Sequence, residues 1–152
     1  MAGNTSPIYS RVGDIQWVTL TTANTAKDGT GTAAVLFTAD ATNGGRVERV
    51  RAVAKGNNIA SVLRLFINNG ATAETAGNNS LYAELSLPAT TLSEVAKLLQ
   101  QELPNPPAPA TVVTNPDPTA FPLVLPPGYR LLATIGTTVA AGWQVTAVGG
   151  EY

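Results

Sequence analysis

The sequence predicts an all-β chain, a two-sheet antiparallel sandwich or jelly roll of about eight strands. Two observations carry this. Apolar and polar residues alternate with a period of two in one short run after another, the pattern of half-buried strands. Gly, Asn, Asp and Pro clusters separate the runs and mark turns. The clearest case is Arg46 to Asn69, where Val50, Ala52 and Ala54 alternate with Arg49, Arg51 and Val53. After Gly56-Asn57-Asn58, Ser61, Leu63, Leu65 and Ile67 alternate with Val62, Arg64 and Phe66. The turn between them predicts an antiparallel strand pair, with Leu63, Leu65 and Ile67 buried beside Val50 and Ala52.

In chain order, residues 1–13 read as an irregular N-terminal arm ahead of a single domain over 14–152. Ile15, Trp17 and Thr19 alternate with Gln16, Val18 and Leu20, which predicts a strand. Asp28-Gly29 closes a polar loop. Thr32 to Ala39 is apolar on both sides, as in a strand covered on both faces. Asp40 to Gly45 is a turn, and Asn68 to Asn79 an exposed Gly/Ala/Asn loop. Leu81, Ala83, Leu85 and Leu87 form the inward side of a strand that Pro88 ends. Thr91-Leu92-Ser93-Glu94 then has the form of a capping box, followed by Leu92, Val95, Leu98, Leu99 and Leu103 at helical spacing. Local propensity predicts one short helix over Thr91–Leu103, while the surrounding run of strands favours an extended segment there; the helix is the preferred reading. The six prolines of 104–118 exclude central sheet and predict a surface loop reaching across a neighbour. Leu123 to Leu125, Tyr129 to Ile135 and Trp143 to Val148 are strands, the first two joined by the tight turn Pro126-Pro127-Gly128.

The chemistry of the chain is narrow. Its 152 residues can bury a full core, yet only 12% are charged against roughly a quarter in an ordinary soluble domain. A net charge of −1 gives no drive toward nucleic acid or an anionic membrane. With no Cys and no His, thiolate chemistry, the Ser-His-Asp triad and the commonest metal ligand are all excluded. The acidic residues show no close pairing and no calcium-loop spacing. Gly29-Thr30-Gly31-Thr32-Ala33-Ala34 loosely fits a dinucleotide motif, but a β-type run follows it where a helix is required. The uncharged stretch Leu131–Gly150 is broken by Gly, Thr and Gln and reads as two strands rather than a membrane span. The N-terminus lacks the basic-then-apolar order of a signal peptide. The expectation is a non-enzyme with no cofactor and no metal.

Contact residues are the remaining candidates. Arg49, Arg51, Val62, Arg64 and Phe66 share the strand faces opposite the core, and Arg with aromatic residues is the composition of interface centres. The plainer reading, which the composition favours over a contact face, is a solvated surface with Phe66 covered by a loop. Ile8 and Tyr9 in the arm, and Val112 and Val113 in the proline-rich loop, are apolar residues in segments that make little core of their own.

Several stretches together carry a resemblance: TANTAKDGTGTAAVLFTA (Thr22 to Ala39), GGRVERVRAVAKG (Gly44 to Gly56), VLRLFINNG (Val62 to Gly70), LVLPPGYRLLAT (Leu123 to Thr134) and WQVTAVGGEY (Trp143 to Tyr152). They resemble small head decoration, or cement, proteins of tailed bacteriophages. The resemblance implies a jelly-roll sandwich on the capsid exterior of a virion. It also implies the major capsid protein as partner, and itself as a homodimer or homotrimer. The stretch Thr91 to Pro118 is longer and richer in proline than that pattern. A second functional expectation is a carbohydrate- or receptor-binding module of a phage tail or fibre, with Trp17, Tyr82 and Trp143 as candidate sugar platforms.

Overall fold

A computed structural model describes residues 12–103 and 121–152. Among these, nine strands follow one another: β1 (Val12–Leu20), β2 (Ala34–Thr38), β3 (Gly45–Ala54), β4 (Ser61–Asn68), β5 (Asn79–Leu87), β6 (Gln100–Leu103), β7 (Leu123–Leu125), β8 (Arg130–Ile135) and β9 (Trp143–Glu151). They build two antiparallel sheets packed as a sandwich. The first has the order β1-β9-β3, with β7 and β6 sharing the lane beyond β3; the second has the order β2-β8-β4-β5. The chain alternates between sheets at almost every connection, which is the strand order of a jelly roll.

The core lies between the sheets. Val50, Ala52, Ala54, Trp143, Val145 and Ala147 of the first sheet meet Leu63, Leu65, Leu85, Leu131, Ala133 and Ile135 of the second, all of them buried. Each large side chain here contributes about 1.5–3 kcal/mol through removal from water. The inward set expected for β3 and β4 is therefore present, with Ile67 partly buried at its margin. The expected pairing of the two strands is not. They face each other across the sandwich, because β9 on one side and β6 with β7 on the other already occupy both edges of β3. Gly56-Asn57-Asn58 is a crossing between sheets, not a hairpin.

Three bulges adjust the alternation. In β2 the pairing moves from Val35–Leu132 to Phe37–Leu131, and the extra residue Leu36 joins Phe37 in the core. Val35 is left 49% exposed, so this strand is not covered on both faces. In β5 the extra residue is Tyr82, which turns Leu81 to the outer face opposite Phe66. In β3 it is Glu48, beside which Gly149 of β9 comes so close that a Cβ would collide with the Arg46 carbonyl oxygen. Only glycine fits there.

The helix expected over Thr91–Leu103 does not form. Leu92 and Val95 lie in solvent, Val95 at 98% exposure, so the helical stripe has nothing to pack on. Ser93 Oγ accepts from the Val95 and Ala96 N–H groups, a cap that begins a turn no helix continues. Tertiary pairing wins instead: residues 100–103 lie along β3, with Leu103 buried opposite Val50. Isolated helices of this length are marginal without a buried face.

The turn between β2 and β3 shows how loops are held. The Asp40 carboxylate accepts from the N–H groups of Asn43 (2.7 Å) and Thr42 (2.9 Å), while its carbonyl accepts from Gly44 and from Gly128 across the sandwich end. These donors favour the charged carboxylate, Asn43 most, and hold Asp40 below the ordinary aspartate range.

Leu65→Ala is expected to cost about 2–5 kcal/mol in denaturant unfolding, since its site is fully enclosed and cannot collapse easily; an unchanged midpoint would contradict this register. A carboxyl titration followed by NMR should place Asp40 below the ordinary value of about 4. Because its folded value is depressed, the stabilisation it provides is complete above that value and fades as pH falls through the folded midpoint. A midpoint at or above 4 would show that the turn bonds are not made.

Candidate functional site

The outer faces of the two sheets differ, and the difference locates the candidate surface. On the second sheet Phe66, Leu132 and Thr134 face outward yet are buried. The loop 21–33 accounts for this. Ala23 bridges Ile135, the Asn24 N–H donates to the Ile135 carbonyl at 2.7 Å, and Gly29 reaches Asn79 on the far side of the sheet. The loop thus crosses above the Phe66–Leu132 pair. Arg64 fastens it: Nε pairs with Glu84 at 2.7 Å, and Nη1 donates to the Asn24 carbonyl. Phe66 is therefore interior to this chain under a loop, as the plainer reading of this face expects, and Arg64 is committed to internal partners, which corrects the contact-face expectation for both. Val62 remains half-buried beside them.

On the first sheet no segment among the described residues covers the outer face. Register places three rows across it. Ile15, Val148 and Arg49 form one; Trp17, Thr146, Arg51 and Glu102 the next; Thr19, Gln144, Val53 and Gln100 the third. At the usual spacing of about 4.8 Å between strands, this face is about 15 Å across. Trp17 is 64% exposed and Ile15 57%, at one side of the arginines. Val124, 58% exposed, stands opposite Arg46 on the other side. Glu48 pairs with Arg46 at 3.5 Å, and Glu102 lies opposite Arg51. The result is a flat, weakly charged face with aromatic, aliphatic and arginine groups side by side.

Arg49 and Arg51, both exposed, are the predicted contact residues that the structure places on this face. Ile8, Tyr9, Val112 and Val113 lie outside the described residues, as does the whole proline-rich loop of 104–118. β1 begins at Val12, so the last two residues assigned to the arm belong to the strand. Ile15 was missed as a contact residue, and Trp17 was read only as a sugar platform, because β1 turns its more apolar side outward. Its inward side carries Gln16, whose amide exchanges hydrogen bonds with the N–H and C=O of Thr38 at the edge of the other sheet. A long amide at mid-strand, able to replace a strand partner, was the available signal.

Grooves exist but lack paired reactive groups. A cleft of about 530 Å³ between Pro88–Thr91 and Lys97–Gln100 has Lys97 as its one ionisable lining residue, and one of about 460 Å³ beside Asn57, Thr90 and Thr138 has none. No cluster of three metal-binding side chains occurs among the described residues. Nor does any helix there have the length and apolarity to cross a membrane. Of the candidate sugar platforms, Trp143 is fully buried, and Tyr82 stacks edge-on against Phe121 at 5.9 Å with burial raising its hydroxyl pKa. Trp17 alone is open. No family model matches the chain, and no match is found among curated proteins or solved structures.

Arg64 and Arg51 should respond differently to truncation. Arg64→Ala is expected to cost about 1–3 kcal/mol, since it unseats Glu84 and the loop over Phe66. Arg51→Ala, on the open face, should stay within about 0.5 kcal/mol. Equal effects in chemical denaturation would contradict the assignment of one arginine to the fold and the other to the surface.

Proposed function

We propose that this chain is a structural virion protein: a decoration or cement protein on the exterior of a tailed-phage head, where it bridges neighbouring capsid subunits. The observation that carries the reading is the open face of the first sheet, with Trp17, Ile15, Arg49 and Arg51 presented on a rigid surface about 15 Å wide. The stretches resembling decoration proteins and the jelly-roll strand order support it. Contact is the chemistry that such a face offers. Aromatic and arginine side chains are the groups that most often anchor protein interfaces. On a shell, each copy need bind only weakly, because contacts to several fixed subunits act at high effective concentration.

A glycan-binding module is the second reading, favoured by Trp17 lying exposed near Thr146 and Gln144. A sugar ring can stack on such an indole while hydroxyl and amide groups take its hydrogen bonds.

Purified protein mixed with heads that lack it should co-sediment with them and raise the temperature at which they rupture. Arg49→Glu with Arg51→Glu should weaken this binding at least tenfold while leaving the circular dichroism spectrum unchanged. Wild-type protein that stays in the supernatant, or a double variant that binds like wild type, would overturn the reading. Binding to a glycan array without binding to heads would favour the second one.

A further inference from the structure

We propose that β1 is a self-pairing edge: two copies join antiparallel along this strand, centred on Gln16, to make one continuous sheet.

A sheet edge is a row of unused N–H and C=O groups, and folds normally blunt such rows with short strands, bulges or charges. Three of the four lateral edges here are blunted. β2 has five residues and a bulge, β5 has a bulge at Tyr82 and carries Glu84, and β6 and β7 are four and three residues long. β1 is different. It runs nine residues in unbroken register with β9, has no Pro, Lys or bulge, and carries a single charge, Asp14. No backbone partner lies along its outward edge among the described residues. An edge this long and regular is a template for another strand.

The side chains select a second copy as that strand. With two copies of Gln16 opposite each other, Trp17 lies beside the partner's Ile15 and Ile15 beside the partner's Trp17. Two of the largest exposed apolar groups of the described chain thus cover each other twice over. Each Asp14 falls opposite the partner's Val18, so the two carboxylates stand about 13 Å apart along the strands. Shifting the centre to Ile15 would bring Trp17 against Gly13, and shifting it to Asp14 would set like charges in contact. Gln16 itself is already bonded to Asp14 and Thr38. The symmetry is the closed two-fold of an isologous dimer.

This pairing is independent of any shell, and head binding by a monomer would leave it refuted on its own. Sedimentation equilibrium of the full chain should show a dimer whose dissociation shifts at least thirtyfold on Trp17→Lys, with an unchanged far-ultraviolet spectrum. Gly13→Cys with Thr19→Cys supplies a second readout, since in this register each falls opposite the other in the second copy and Gln16 keeps its bonds. The chain has no other cysteine, so mild oxidation should convert this double variant to a disulfide-linked dimer. Wild-type protein that is monomeric or trimeric at every concentration overturns the proposal, as does a folded Trp17→Lys variant that dimerises like wild type. Should that variant fail to fold, the cross-link decides: its absence under oxidation also overturns it.

Discussion

One buried amide, that of Asn58, holds together the end of the sandwich where three connections cross. Its oxygen accepts from the N–H groups of Ala141 and Gly142, both at 3.0 Å, and its nitrogen donates to the Gly142 carbonyl at 2.9 Å. Its backbone exchanges two bonds with Thr90. The links β3–β4, β5–β6 and β8–β9 are thus tied at one residue. Gly142 directly precedes Trp143, which opens β9 between Leu20 and Ala54. Asn58 therefore fixes where β9 enters, and with it the register that sends Trp143, Val145 and Ala147 inward. Without it, buried backbone groups would be stranded at about 1–3 kcal/mol each.

How much of this was legible follows from which physics was local. Alternation revealed the strands and the inward sets of β3 and β4, since period two is visible in the residues themselves. The turns were legible too. Pro126-Pro127-Gly128 forms a tight turn with Gly128 at φ 74° and the Tyr129 N–H bonded back to Pro126. Partnership between strands was not visible. Gly56-Asn57-Asn58 reads as a hairpin turn, and nothing local says that Asn58 will be drawn inside by residues more than eighty positions away. Leu92, Val95 and Leu99 misled for the same reason: a helical stripe is only a helix if something covers it. At the candidate surface, Arg49 and Arg51 were legible from alternation. Ile15 was not, and Trp17 only as a sugar platform, because apolarity argues for burial and the outward turn of β1 is set by Gln16 meeting Thr38.

Beside the Asp40 carboxylate and the Arg64–Glu84 pair, neutral amides hold the loop between β4 and β5. Asn68, fully buried, donates to Asn79, and Asn78 and Asn79 reach back to the carbonyls of Thr72 and Ala73. Such bonds are insensitive to salt, unlike surface ion pairs, which weaken as ions screen them.

The shared lane along β3 has a separate consequence. β6 and β7 run in the same direction, β6 ending with Leu103 opposite Val50 and β7 beginning with Leu123 opposite Val47. They are two halves of one strand, and the residues between them depart from and return to points about 10 Å apart. Closing such an excursion costs only a logarithm of its length. Added length between these two fixed ends therefore costs the fold little closure entropy, which makes the gap a natural place to graft a foreign peptide.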